Sequence, residues 1–154
     1  MRLLWIIFLF SFQSIQAQEV YREYCDSTFS FCVKYPTHLL KNFRLIMPGN
    51  FELSSDVSQV KIRVWASKAK ETIEPSMGFK SLYIGAAYSR NITYEVVKKD
   101  WFVISGFTES EDVFYHKLLM KNDIIYNILL EYPVSEKKIW DKQCGIICNS
   151  LKIK

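Results

Sequence analysis

Histidine is the scarcest of the chemically versatile residues in this sequence. Only His38 and His116 occur, so a metal centre or catalytic network built on imidazoles has almost no material. Glycine (5) and proline (4) are also few among 154 residues, which excludes a collagen-like chain and argues against a disordered one. No glycine-rich phosphate loop, nucleophile elbow or His-Glu-x-x-His helix is present, so the strong sequence signs of nucleotide binding, serine hydrolysis and zinc proteolysis all fail. No cofactor motif and no metal-ligand set stands in their place. Neither sign of charge dominates. The 20 Lys and Arg face 16 Asp and Glu, and the surplus of +4 is spread too thinly for a nucleic-acid surface. With no repeat, low-complexity tract or linker, the length fits one core and excludes a large multidomain enzyme.

What is present begins with an address. Arg2 precedes the apolar run Leu3 to Phe12, the polar stretch Gln13 to Gln16 and the small residue Ala17, the order of a secretory signal with cleavage expected after Ala17. The apolar run is roughly half of the ~20 residues that a membrane-spanning helix needs, and charges interrupt every later run well before that length. No Cys directly follows it, which disfavours a lipid anchor. The expected product is residues 18–154 as a single soluble domain, secreted or periplasmic, with no stable membrane anchor after cleavage.

Export changes how the cysteines read, because an even number in an oxidising compartment points first to disulfides. Cys25, Cys32, Cys144 and Cys148 allow three pairings. Cys25 and Cys32 flank the turn-forming run Asp26 to Thr28 between two segments of strand character, so a hairpin would bring them face to face. Closing that loop is worth about 2.5 kcal/mol by the chain-entropy relation. Cys144 and Cys148 instead lie four apart on a helix, where side-chain carbons are roughly 5–6 Å apart and a disulfide wants about 3.5–4.5 Å. Trp140, Cys144, Ile147 and Leu151 share a stripe with Cys148 at its edge, so two buried thiols is the plainer reading. The sharper alternative is a pair that binds a soft metal such as Cu(I) or exchanges disulfides.

Periodicity predicts a hairpin over Val20–Cys25 and Phe29–Tyr35, then a connector over Thr37–Asn50 with one short helical turn near Leu39. A second hairpin joins Phe51–Ser54 to Val60–Ala66. A helix follows over Thr72–Arg90, with Pro75 near its start. Four strands come next, Ile92–Lys98, Trp101–Thr108, Val113–Lys121 and Ile124–Tyr132, joined by turns short enough to force antiparallel neighbours. Pro133 ends the last of them. Ser135 is expected to cap a helix to about Leu151, with Glu136 in its first turn and Lys152 and Lys154 near its end. The natural solution is one antiparallel sheet packed by helices.

Single residues add little chemistry. His116 shares a strand face with Phe114 and Leu118 and reads as a packed or surface histidine rather than a base. His38 reads as a surface residue of the connector. Glu109, Glu111 and Asp112 form a solvated turn that lacks the twelve-residue calcium loop. Asn91-Ile92-Thr93 fits an N-glycosylation acceptor, which matters only for eukaryotic secretion. Trp65 points away from Val60, Ile62 and Val64, so a helix is expected to cover it; left bare among other aromatics, it would mark an interaction patch.

The segment Phe29-Ser-Phe-Cys-Val-Lys-Tyr-Pro36 resembles the opening strand of small exported domains of the PsbP-like fold. Ile92-Thr-Tyr-Glu-Val-Val-Lys-Lys-Asp-Trp-Phe-Val-Ile-Ser-Gly106 is similar to their middle, and Glu131-Tyr-Pro133 with the helix up to Leu151 to their end. The likeness spans most of residues 18–154. It implies an α+β architecture, an antiparallel sheet between helices, and a binding or assembly role more often than catalysis. It carries over no functional residue. The leading reading is an exported, non-catalytic binding or assembly domain whose partner is a protein or small ligand, and the runner-up is a thiol- or soft-metal-handling protein using Cys144 and Cys148.

Overall fold

The computed structural model of the chain describes residues 20–73 and 78–154. The leader, its cleavage point and Pro75 lie outside the described residues. The first hairpin pairs β1 (Tyr21–Asp26) with β2 (Phe31–Pro36), placing Cys25 directly opposite Cys32. The two are joined by a disulfide. Asp26, which reads in sequence only as a turn former, is buried. Its Oδ1 accepts the Phe29 N–H at 2.8 Å and its Oδ2 the Gly49 N–H at 2.7 Å, so one carboxylate closes the first turn and ties it to the next.

The expected connector holds a strand of its own. β3 (Asn42–Met47) pairs with β4 (Asn50–Ser54), which pairs in turn with β5 (Lys61–Lys68). Every residue of β3 is exposed, since it is the outermost strand, so no in–out alternation marks it. Gly49 makes the intervening turn possible. It sits at φ 76°, and a Cβ there would run into the Phe29 ring.

The helix expected over 72–90 is shorter and interrupted. α1 (Ala69–Thr72) is a single turn, and α2 (Phe79–Ala87) begins only after Gly78, whose φ of 56° is incompatible with continuing a helix. β6 (Asn91–Val97), β7 (Trp101–Phe107), β8 (Val113–Lys121) and β9 (Ile124–Tyr132) then form the antiparallel meander. Asn122 and Asp123 both have positive φ, the two-residue turn whose twist suits a hairpin.

After β9 a 3-10 turn over Val134–Glu136 leads into α3 (Lys137–Asn149). Ser135 lies inside that turn and does not cap the helix. The Glu136 carboxylate is held instead by Trp140 Nε1 at 2.9 Å and by the Ser58 hydroxyl. α3 also stops short of Leu151. Ser150 returns its N–H to the Ile146 and Ile147 carbonyls, and its Oγ accepts the Lys34 N–H at 2.8 Å, diverting the chain onto β2. Lys152 therefore belongs to β10 (Lys152–Ile153), which pairs with β2, rather than to a helical turn.

Two sheets result, β1-β2-β10 and β3-β4-β5-β9-β8-β7-β6. The small sheet and α3 press onto one face of the large sheet, chiefly over β4, β5 and β9, burying Phe31, Val33, Phe51, Ile62, Ile128, Trp140 and Ile147. α1 and α2 cover the opposite face farther along, over Phe102, Ile104, Phe114 and Leu118. Full burial of each such side chain contributes about 1.5–3 kcal/mol, so this staggered pair of layers holds the molecule together. Among the described residues, nothing covers two diagonally opposed quarters of the large sheet.

Candidate functional site

The uncovered quarter beyond α3 is a groove built from the outward row of three strands. Cross-strand pairing sets Tyr94 beside Ser105 and Tyr115, Val96 beside Val103 and Lys117, and Trp101 beside Leu119. The rows run on into Leu130 and Ile128 of the core, so this is the face that α3 covers elsewhere. Asn149, the last residue of α3, forms one wall of a groove of about 420 Å³. Lys117 Nζ donates to the Cys148 carbonyl at 2.8 Å, satisfying a last-turn acceptor and placing positive charge at the negative end of the helix dipole. Burial, with Cys148 and Cys144 adding to it, pushes the Tyr115 phenol up to about 12, so it stays a neutral hydroxyl at physiological pH. The groove therefore offers aromatic and aliphatic surface, one phenol and one tethered ammonium.

β6 borders the groove as an outer strand of the large sheet. Its register shifts between Ile92 and Tyr94, bringing its backbone against Gly106, where a Cβ would run into the Asn91 carbonyl. The diagonally opposed quarter is different in kind. There Glu52 lies between Arg44 at 3.4 Å and Arg63 at 3.8 Å, a polar ladder suited to water.

On the α2 side, His116 is buried with only 5% of its surface exposed. Its Nε2 lies 3.0 Å from Asn127 Oδ1, and because that oxygen can only accept, Nε2 carries the proton. The Trp65 ring packs on the imidazole with centroids 5.6 Å apart, and Phe102 meets it edge-on at 5.6 Å. Trp65 is half-buried in this packing rather than bare. Burial pushes the His116 pKa down to about 4, opposed by the Asn127 bond and reinforced by the Arg90 charge. Arg90 itself is engaged with Glu131 at 3.2 Å and the Ala86 carbonyl at 3.1 Å, and lies 4.6 Å above the Phe114 ring.

Cys144 and Cys148 are buried free thiols. Burial is the largest cause pushing Cys144 up to about 12, and it raises Cys148 as well. The Cys144 thiol donates to the Tyr132 hydroxyl at 3.6 Å, which donates to Asp141 at 2.8 Å. The thiolate is the form that binds soft metals and attacks disulfides, so this environment favours the form that does neither. His38 is exposed after β2, and Asn91 is exposed at the start of β6. Glu109, Glu111 and Asp112 lie in the β7–β8 loop, where Ser110 and Asp112 bond each other and Thr108.

The structure brings none of the residues singled out from sequence into the groove. Its lining escapes such reading because β7 and β8 are apolar on both faces. That pattern demands cover on two sides but does not reveal that one side is open.

No family model and no curated protein matches the chain. Among solved structures, the solution structure of cyanobacterial PsbP (CyanoP) from Synechocystis sp. PCC 6803 is similar with a TM-score of 0.59 at 9% identity. That match covers 88% of this chain and 94% of that one. A crystal structure from Bacteroides thetaiotaomicron VPI-5482 matches with a TM-score of 0.50 at 17% identity, covering 86% of this chain and 48% of that one. At these identities the likeness speaks for architecture and transfers no residue role. An antiparallel sheet between helices, matched over nearly its whole described length, gives this protein the PsbP-like fold.

Proposed function

We propose that the protein is an exported, non-catalytic accessory domain that docks a partner polypeptide in the groove over β6, β7 and β8. The observation that carries this reading is the aromatic composition of a sheet quarter that α3 leaves uncovered, where Tyr94 is 54% exposed. β6 supports it, because an outer strand presents unpaired backbone groups along which an extended segment can add. Trp101, Val96 and Tyr115 would then receive the segment's apolar side chains. Exposed Lys98 and Lys99 at the adjoining turn favour a segment with flanking acidic residues. Export is supported by the Arg2-to-Ala17 leader pattern and by the Cys25–Cys32 disulfide, which persists in an oxidising compartment.

A photo-reactive residue at position 94, compared with one at position 44 on the polar quarter, tests the docking face in the native host. The expected result is one discrete adduct from position 94, lost with Trp101→Ala. Equal adducts from both positions, or one insensitive to Trp101→Ala, would overturn the proposal. N-terminal sequencing of the mature product should read from Gln18, and an uncut cytosolic product would remove the export half.

A further inference from the structure

We infer that the outer face of the layer formed by α3 and the small sheet docks reversibly on an anionic lipid surface. Its residues lie far apart in sequence, and the fold gathers them. In β2, Lys34 alternates with the buried Val33 and Tyr35 and so points away from the core. Lys152 pairs opposite Cys32 and shares that side of the sheet. Lys154, two residues on, continues the ladder through its N–H to the Ser30 carbonyl at 2.8 Å. α3 turns Trp140, Cys144, Ile147 and Cys148 inward, which at 3.6 residues per turn puts Lys138 and Lys142 outermost. Ile139 and Ile146 fall on its flank toward the small sheet, the flank from which Gln143 accepts the Tyr21 hydroxyl at 2.8 Å. None of these residues lines the groove over β6, β7 and β8, so the two proposals stand or fall separately.

All five lysines are exposed, and Glu23, opposite Lys34, is the one acidic side chain on this face among the described residues. The acids of α3 and its leading turn are held elsewhere. Asp141 accepts from Tyr132 at 2.8 Å and from Lys137 at 2.7 Å, and Glu136 accepts from Trp140 at 2.9 Å. A chain whose charges nearly balance therefore carries one concentrated positive face.

Charge alone would suit any acidic partner, and the isoleucines narrow the choice. Ile139 is 50% and Ile146 36% exposed, on the flank between the helix lysines and the small sheet. Lysine ammoniums reach headgroup phosphates while aliphatic side chains enter the acyl boundary beneath them, and the lysine stems can lie along that apolar surface. Two half-exposed isoleucines are too little to anchor a protein, and lysines alone give attraction without depth. The two weak signals act together, and the attachment is reversible.

The test is cosedimentation of the mature chain with vesicles of equimolar phosphatidylcholine and phosphatidylglycerol, against phosphatidylcholine alone. Binding should appear with the anionic vesicles only and weaken steeply with added salt. Lys138→Gln with Lys142→Gln should lower the partition coefficient roughly 25-fold, about fivefold per lysine. Lys68→Gln with Lys70→Gln removes the same charge from the α1 side and should leave it within about twofold. Ile139→Ser with Ile146→Ser should lower it several-fold while leaving the salt dependence unchanged. Every substituted residue is exposed, so the variants should fold. No binding to anionic vesicles, equal binding to neutral ones, or a loss from the Lys68 and Lys70 pair as large as from the α3 pair would each overturn the inference. Binding indifferent to the isoleucine pair would overturn it too, pointing to an acidic protein in place of a bilayer.

Discussion

The buried His116 makes stability depend on pH in a way that one substitution can isolate. In the unfolded chain its imidazole titrates near the ordinary value of 6.5, while in the fold burial lowers it to about 4. Between those values the unfolded state binds a proton that the native state refuses, so acid favours unfolding. The stabilisation is fully present above pH 6.5 and drains away as pH falls toward 4. Integrated from pH 7.5 to 4.5, the difference is about 2.5 kcal/mol. With a urea dependence of about 1–3 kcal/mol/M, the unfolding midpoint should drop by roughly 0.8–2.5 M over that interval from this group alone. The assay is urea unfolding at half-unit pH steps for the natural chain and for His116→Gln, which keeps a polar side chain but cannot titrate. Carboxylates contribute equally to both, so the difference between the two slopes belongs to His116. Parallel slopes between pH 6.5 and 4.5 would refute the buried, neutral imidazole and the hydrogen-bond assignment built on it.

Reduction of the Cys25–Cys32 disulfide should lower stability by about 2.5 kcal/mol, read as a shift in the urea midpoint with and without reductant. No shift would show that the hairpin holds its geometry unaided. Gly106→Ala should cost about 1–3 kcal/mol, because its Cβ meets the Asn91 backbone, which cannot move aside like a side chain. Hydrogen exchange should speed up along Asn91–Val97, and unchanged protection there would contradict the close approach. A thiol reagent at pH 8 should leave the native protein unlabelled and label two thiols per chain in denaturant. Rapid native labelling of Cys144 or Cys148 would revive a thiol or soft-metal role.

Much of the fold was legible because its strands announce themselves locally. The four meander strands are apolar runs joined by turns of two to five residues, and Asn122-Asp123 has the composition that tolerates positive φ. The antiparallel sheet with helices follows from that pattern. β3 was not legible, since a strand exposed on every residue carries no alternation and exists because β4 offers it an edge. The end of α3 was misread for a similar reason. Ser150 stops the helix through contacts with Lys34, 116 residues away in sequence, and no local signal encodes that distance. The groove depends on where α3 stops, so it was hidden with it. The pattern of β8 marks His116 as a packed or surface strand residue, but its Asn127 partner is a product of register between β8 and β9.

The two uncovered quarters of the large sheet have the same geometric standing, yet the chain treats them differently. Over β3, β4 and β5 it places Arg44, Glu52 and Arg63, which keep water in contact with charge. Over β6, β7 and β8 it places Tyr94, Val96 and Trp101, which water solvates poorly. If solvation were the sole constraint on a sheet face without cover, both quarters would carry the polar pattern. Packing among the described residues does not supply the missing reason either, because α3 ends at Asn149 and Lys117 fixes that end at the groove wall. The docking partner proposed above would supply that cover. The outer position of β6 would give such a partner a backbone to bind along, and the tethering of Lys117 to α3 would leave the groove floor for its apolar side chains.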